Sequence, residues 1–311
     1  MRKIIYIPLL CFIFQWARAQ QLPQYTQYLL NDLAINPAVS GKEDFADIRS
    51  NNRYQWVGIA DAPRTYMLTL HSPLNKRSMG LGTHIYTDIV GPTRRVGINV
   101  SYAYHLKLSE EIRLSFGLSA GIQQWGIDGH KLHLHDAGDE NLLTQYQTKI
   151  VPDIGAGLLI HHKKWYLGFS APQLYQSPIR LYPSGDNKGK LVTHFICNGA
   201  YKFNINEKFK IEPSFLAKYA FPTSVKIDIA TRVIYQDQLW MGLSYNRFIA
   251  QQDAITALLG FMYKNYLMIG YSYDFTTSYL KNYAGATHEL MLGLRFSKQQ
   301  AKNWQEDEEP K

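Results

Sequence analysis

The 311-residue chain has only two cysteines, Cys11 and Cys197. It also lacks any Lys/Arg tract, and beyond residue 14 no apolar run approaches the roughly eighteen to twenty residues that a transmembrane helix needs. These absences exclude a disulfide scaffold, a structural zinc site and a helical membrane protein. The dispersed charge argues against nucleic acid as a partner. Catalytic signatures are missing as well: there is no G-x-S-x-G elbow, no phosphate-binding Gly-rich loop and no H-E-x-x-H pair. The expectation is therefore a non-enzyme with no cofactor.

The N-terminus accounts for one cysteine and part of the charge. Arg2 and Lys3 precede an apolar stretch over 4–14, and Ala17 and Ala19 supply the small residues of a cleavage site ahead of Gln20. Residues 1–19 read as a signal peptide, with Cys11 too far from the cut for lipid anchoring. Its removal takes three of the 33 basic residues and none of the 25 acidic ones, so the formal net charge falls from +8 to +5.

What the chain has in quantity is two-residue alternation. Over residues 96–108, Val96, Ile98, Val100, Tyr102, Tyr104, Leu106 and Leu108 share one face, while Gly97, Asn99, Ser101, Ala103, His105 and Lys107 share the other. Residues 112–122 repeat the pattern. A strand that is apolar on one face and small or polar on the other has two solvents. In an exported chain of this length, the arrangement that satisfies every backbone group is a closed barrel with lipid outside and a polar lumen. The 22 Tyr, 14 Phe and 6 Trp suit interfacial aromatic girdles.

The alternation predicts an all-β, antiparallel transmembrane barrel of about fourteen strands, near 45–58, 64–72, 78–88, 95–108, 111–127, 151–161, 164–171, 190–203, 208–219, 224–235, 238–248, 254–263, 265–276 and 286–296. With both ends periplasmic, the turns at 75–78, 109–111, 162–163, 204–208, 236–238 and 264–265 are all tight, as periplasmic turns are. The other connections include 128–150, 172–189, 88–94 and 277–285 and fall outside the cell. In the last strand His288, Leu290, Leu292, Leu294 and Phe296 face lipid, and Glu289, Met291, Gly293 and Arg295 face inward. Residues 297–311 form a charged tail too poor in apolar side chains to fold, expected to be disordered in the periplasm.

Residues 20–44 carry the turn signals Asn36-Pro37 and Ser40-Gly41 without alternation, so they precede the barrel proper, assigned to 45–296. They read either as a plug within the lumen or as a cap at its periplasmic base. An open lumen lined by Asn99, Ser101, His105, Arg113 and Gln123 would favour transport; a filled one would favour recognition. His130, His133, His135, Asp136 and Asp139 crowd one outer loop, but their spacing fits no helical metal site, and they read as an exposed polar loop. The loop 172–190 mixes aromatics with Pro and Gly and reads either as a solvated loop or as a binding surface for a secreted protein. Cys197 lies in a strand-like run as a small wall residue. No catalytic, cofactor-binding or metal-binding residue is assigned, and partner-binding residues are left unnamed.

An ordered series of segments resembles the PorP/SprF family of outer-membrane proteins: QYTQYLLNDLAINPAVSG at 24–41, RYQWVG at 53–58, APRT at 62–65 and Leu81-Gly82. It continues with DIVGPT at 88–93, LSFGLSAG at 114–121, PSFLAKY at 213–219, LWMGLSY at 239–245, IGYSYDF at 269–275 and HELM at 288–291. The resemblance implies a place in the type IX secretion and gliding-motility apparatus of Bacteroidota, in the outer membrane. There such barrels assist secretion or surface attachment of large adhesins or cargo proteins, with the secretion machinery and outer-membrane lipid as further partners. The alternative is a diffusion channel or transporter for small or hydrophobic solutes.

Overall fold

A computed structural model describes residues 25–74, 78–131, 146–181, 189–248, 253–277 and 285–296. Fourteen strands cross in sequence. They are β1 (Ala46–Tyr54), β2 (Arg64–Leu74), β3 (Met79–Val90), β4 (Thr93–Lys107), β5 (Arg113–Asp128), β6 (Tyr146–His161), β7 (Trp165–Ala171), β8 (Phe195–Tyr201), β9 (Phe209–Tyr219), β10 (Lys226–Tyr235), β11 (Leu239–Phe248), β12 (Asp253–Tyr263), β13 (Leu267–Thr276) and β14 (Thr287–Phe296). Phe203–Asn204 continues β8 past Lys202 and pairs with the start of β9. Every strand pairs antiparallel with its sequence neighbours, and β14 pairs with β1 from Ala46↔Phe296 to Tyr54↔His288, which closes the barrel. The sheet thus closes on itself, as hydrocarbon surroundings require, except that β6 runs past the end of its ladder with β7 at Ala156↔Ala171. No described helix is long and apolar enough to cross a membrane; the strands do so.

Two of the tight turns show why the hairpins close where they do. Gln236 and Asp237 (φ 51° and 58°) and Lys264 and Asn265 (φ 45° and 60°) are paired left-handed residues, and Gln238 N–H and Tyr266 N–H donate across them to Tyr235 O and Tyr263 O. Two consecutive positive φ values make the turn whose twist matches a hairpin. The predicted strands are found in order; β6 starts at Tyr146, inside the loop expected at 128–150 and not at 151, and three other boundaries also move. Where a longer loop was expected at 88–94, β3 and β4 meet in a two-residue turn, because Gly91 adopts φ 55°. β1 stops at Tyr54 rather than 58, since Trp56 turns left-handed at φ 49°. β8 starts at Phe195 rather than 190, because residues 189–194 fold back on 177–179: Ile179 N–H donates to Gly189 O and Leu191 N–H to Ser177 O.

The alternation sorts side chains as two solvents demand. In β14, Leu290, Leu292, Leu294 and Phe296 are exposed on the outer wall, while Met291 and Glu289 are fully buried. Placing a carboxylate at Leu292 puts it in lipid, so Leu292→Asp is expected to cut the folded fraction of the barrel in the outer membrane, read as unheated, compact migration on gels. Normal levels of folded protein would mean that this face does not meet lipid.

The hydrophobic core lies inside the barrel and is shared with the N-terminal segment. Residues 25–42 run through the lumen, with short 3-10 turns at Asp32–Ala34 and Pro37–Val39. Leu30 packs with Ile234, Trp240, Met262, Met268 and Met291. Tyr28 and Ile35 pack with Ile196 and Leu216; Leu33, Ala38 and Val39 pack with Leu159; Tyr25 packs with Met67 and Tyr86. Residues 1–24 and the tail 297–311 lie outside the described residues.

Candidate functional site

The lumen holds the chain's buried polar chemistry: part of it pairs wall to wall, as Arg49 with Asp47 and Arg232 with Glu212, and part grips the N-terminal segment. Near the long-loop end, Arg53 on β1 sits between two carboxylates. Its Nη2 donates to Asp274 Oδ2 at 2.6 Å, and its Nη1 to Glu289 Oε2 at 3.0 Å and to Thr26 Oγ1 at 2.6 Å. Glu289 accepts in turn from Thr26 N–H at 2.8 Å and from Asn51 Nδ2 at 3.0 Å, and its backbone carbonyl accepts from Gln27 Nε2 at 3.1 Å. Thr256 Oγ1 donates to Asp274 Oδ1 at 2.8 Å. Three buried charges thus come from β1, β13 and β14, placed inward by the period of two. Each is paired and hydrogen-bonded, the condition under which charges persist without water.

Further along, Asn31 Nδ2 donates to Asn51 Oδ1 at 2.8 Å, and Thr69 Oγ1 donates to Asn31 Oδ1 at 2.9 Å. Asn36 caps the second 3-10 turn by accepting from Ala38 N–H at 2.9 Å, while its Nδ2 donates to Leu158 O at 3.0 Å. This is the Asn-Pro pair in its two roles: Asn at the cap and Pro where no N–H is needed. Lys42 forms an ion pair with Asp32 within the segment. At the tight-turn end, Ser40 Oγ meets Ser101 Oγ at 2.7 Å. His105 Nε2–H donates to Ser40 O at 2.9 Å while Nδ1 accepts from Ser115 Oγ at 2.6 Å. With both ring nitrogens engaged, His105 has a structural place and is no free base.

Close approach of segment and wall depends on glycine at three inward positions. A Cβ on Gly80 would lie 2.0 Å from Ser40 O, on Gly117 2.1 Å from Ala38 N, and on Gly157 2.0 Å from Asn36 Oδ1. Beside the segment a cavity of about 80 Å³ remains, lined among others by Tyr25, His84, Asn99, Gln123 and Asp153.

The lumen residues expected from sequence fall on the inner face. Ser101 and His105 bind the segment, whereas Asn99 and Gln123 both donate to Asp153 Oδ2, at 3.3 and 2.6 Å; Arg113 shares their face at the start of β5. Of the outer-loop cluster, His130 lies 3.4 Å from Asp128, and His133, His135, Asp136 and Asp139 lie outside the described residues. Among the described residues no three His, Cys, Asp or Glu are grouped as metal ligands. Cys197 is unpaired on the outer wall. The Arg53–Asp274–Glu289 clamp is what sequence reasoning missed. Its signal was charge at inward positions of β1, β13 and β14, but partners 221 and 236 residues apart carry no local mark.

The long-loop end is partly closed. Residues 172–181 and 189–194 turn inward: Leu174 N–H donates to Ile154 O at 2.8 Å, and Ile179 and Leu191 pack on Val151. Lys131 Nζ reaches Asp61 Oδ1 at 2.7 Å and lowers that exposed carboxyl below its ordinary range, chiefly by this hydrogen bond. Tyr175 and Phe221 stand 62% and 74% exposed on the loops.

The sequence profile described as type IX secretion system membrane protein PorP/SprF matches residues 17–294. No curated protein matches the chain. Among solved structures, a FadL homologue of Pseudomonas aeruginosa is similar at 11% identity, covering 85% of this chain and 93% of that one with a TM-score of 0.52. The CymD monoaromatic hydrocarbon channel is similar at 10% identity, covering 88% and 93%, also at 0.52. At such identities the likeness is one of fold, and it places this barrel among outer-membrane barrels.

Proposed function

Because the chain belongs to the PorP/SprF family of type IX secretion system membrane proteins, we propose that it is a non-enzymatic accessory that assists the secretion or surface attachment of a particular large secreted protein by recognition rather than by passage through its lumen. The observation that carries this reading is the filled lumen, with residues 25–42 built into the barrel's own core from Tyr25 to Ser40. Exposed Tyr175 and Phe221 are the kind of aromatic anchor that protein interfaces use, and they support recognition at the long-loop end. The tight-turn end is then free to meet the translocation machinery.

Deleting the gene and comparing proteins released to the medium and held at the cell surface tests this. Selective loss of one or a few large proteins is the expected result. An unchanged protein set with slower uptake of small apolar solutes would instead favour the second reading, a solute channel. That reading draws on the hydrocarbon channel of similar fold and on the residual cavity beside the segment.

A further inference from the structure

The wall of the barrel is notched. β7 and β8 are seven residues each, and their ladders end at Ala156↔Ala171, Ser170↔Ile196 and Phe195↔Tyr219. β6 continues well beyond this level, paired with β5 as far as Asp128↔Tyr146. The chain that would have extended β7 and β8 has turned inward instead, with Ser177 Oγ donating to Pro152 O at 2.6 Å.

On the outer wall at this level lies a groove of about 870 Å³. Its sides are aromatic and aliphatic, including Tyr102, Phe116, Leu118, Phe169, Phe195 and Tyr219, and its floor is small, with Ala156, Ala171, Cys197 and Ala217. The side chains of Phe116, Leu118, Phe169 and Phe195 are exposed to what in the membrane is hydrocarbon. The groove also reaches Ser170, Ile196 and Lys218, which belong to the inner face, and Ile196 and Lys218 line the lumen cavity as well. Groove and lumen cavity therefore share Ile196 and Lys218 in their walls.

The Lys218 side chain makes no hydrogen bond or ion pair among the described residues. It lies directly across the ladder from Lys226, which opposes its charge, and within electrostatic range of Asp228 without an ion pair to it. A lysine that lines both an apolar, lipid-facing groove and the lumen cavity carries a charge that is costly there unless an anion meets it, and a groove open to hydrocarbon is filled by alkyl chain. We propose that this slot binds an acidic membrane amphiphile, with an alkyl chain lying in the groove and its carboxylate or phosphate on Lys218. This goes beyond the secretion role and does not depend on it.

The test uses the full barrel, purified in an uncharged maltoside detergent, with three photoactivatable probes of equal chain length: palmitic acid, a phosphatidic acid and an alkyl trimethylammonium. The acidic probes are expected to label peptides of β6 to β9, and Lys218→Gln to reduce that labelling about tenfold or more, the worth of one charge-assisted hydrogen bond. Lys218→Arg should retain it. Preference for palmitate would point to a free acid, and preference for phosphatidic acid to a lipid headgroup. Ala217→Trp fills the floor from the lipid side, leaves Lys218 in place and should abolish labelling, which keeps the test decisive if Lys218→Gln does not fold. Equal labelling by the cationic probe, labelling spread over the whole wall, or undiminished labelling of both Lys218→Gln and Ala217→Trp would overturn the proposal.

Discussion

Glu289→Leu is expected to free the start of the N-terminal segment while leaving the barrel standing. Glu289 is fully buried, and its side chain receives Arg53, Asn51 and the amide of Thr26 at once. Leucine fills the volume but accepts nothing. Arg53 loses one of two carboxylates, and three further buried donors, the amides of Thr26 and Gln27 and Asn51 Nδ2, lose their acceptor. Breaking one side of a buried ion pair costs about 3–5 kcal/mol, because the remaining charge stays buried. That cost falls on the contacts between β1, β14 and residues 26–27, whereas the backbone ladder of β14 with β1 and β13 needs no side chain at 289. Hydrogen exchange of the purified barrel reads the difference: protection at Thr26 and Gln27 should collapse while that of β1 and β14 persists. Unchanged protection of the segment would show that the clamp does not hold it.

Gly117→Val should displace the middle of the segment by steric means alone. A Cβ at 117 would lie 2.1 Å from Ala38 N and 2.4 Å from Pro37 C, backbone atoms that no rotamer change can move aside. Valine is otherwise at home in a strand, so the ladders of β5 with β4 and β6 have no reason to fail. Ser40 and Ser101 supply the reporter, since their hydroxyl oxygens are 2.7 Å apart. With both replaced by cysteine in a Cys197→Ser background, oxidation should join segment and wall in the parent and fail when Gly117→Val is added. Equal cross-linking in both would mean that the segment tolerates a side chain there, and that the glycine cradle is not what positions it.

The two predictions rest on parts of the molecule that were unequally visible in the sequence. The wall was legible because lipid and lumen impose a period of two on every strand. Leu290, Leu292 and Leu294 declare one face, and Glu289 and Met291 the other, without reference to any distant residue. Tight turns announce themselves locally too, as at Lys264-Asn265. Where the reading differed, one backbone angle decided, at Gly91 or Trp56, or a loop folded inward to meet another element, as at 189–194. The contents of the lumen were not legible. Asn36-Pro37 and Ser40-Gly41 mark turns equally well in a plug or a cap. The choice depends on contacts between residues 25–42 and strands distributed around the whole barrel. Lumen-facing glycines read in sequence as mere small residues, and only the fold shows that Gly80, Gly117 and Gly157 leave room for another backbone.

The claim that most needs testing is that this lumen is occupied by the chain's own N-terminal segment and serves recognition rather than passage. Single-channel recording of the barrel in planar bilayers addresses it directly. The parent is expected to give no stable conductance steps, and discrete steps are expected once Gly117→Val displaces the segment. Stable, ohmic steps from the parent protein would contradict it and identify the lumen as a working channel.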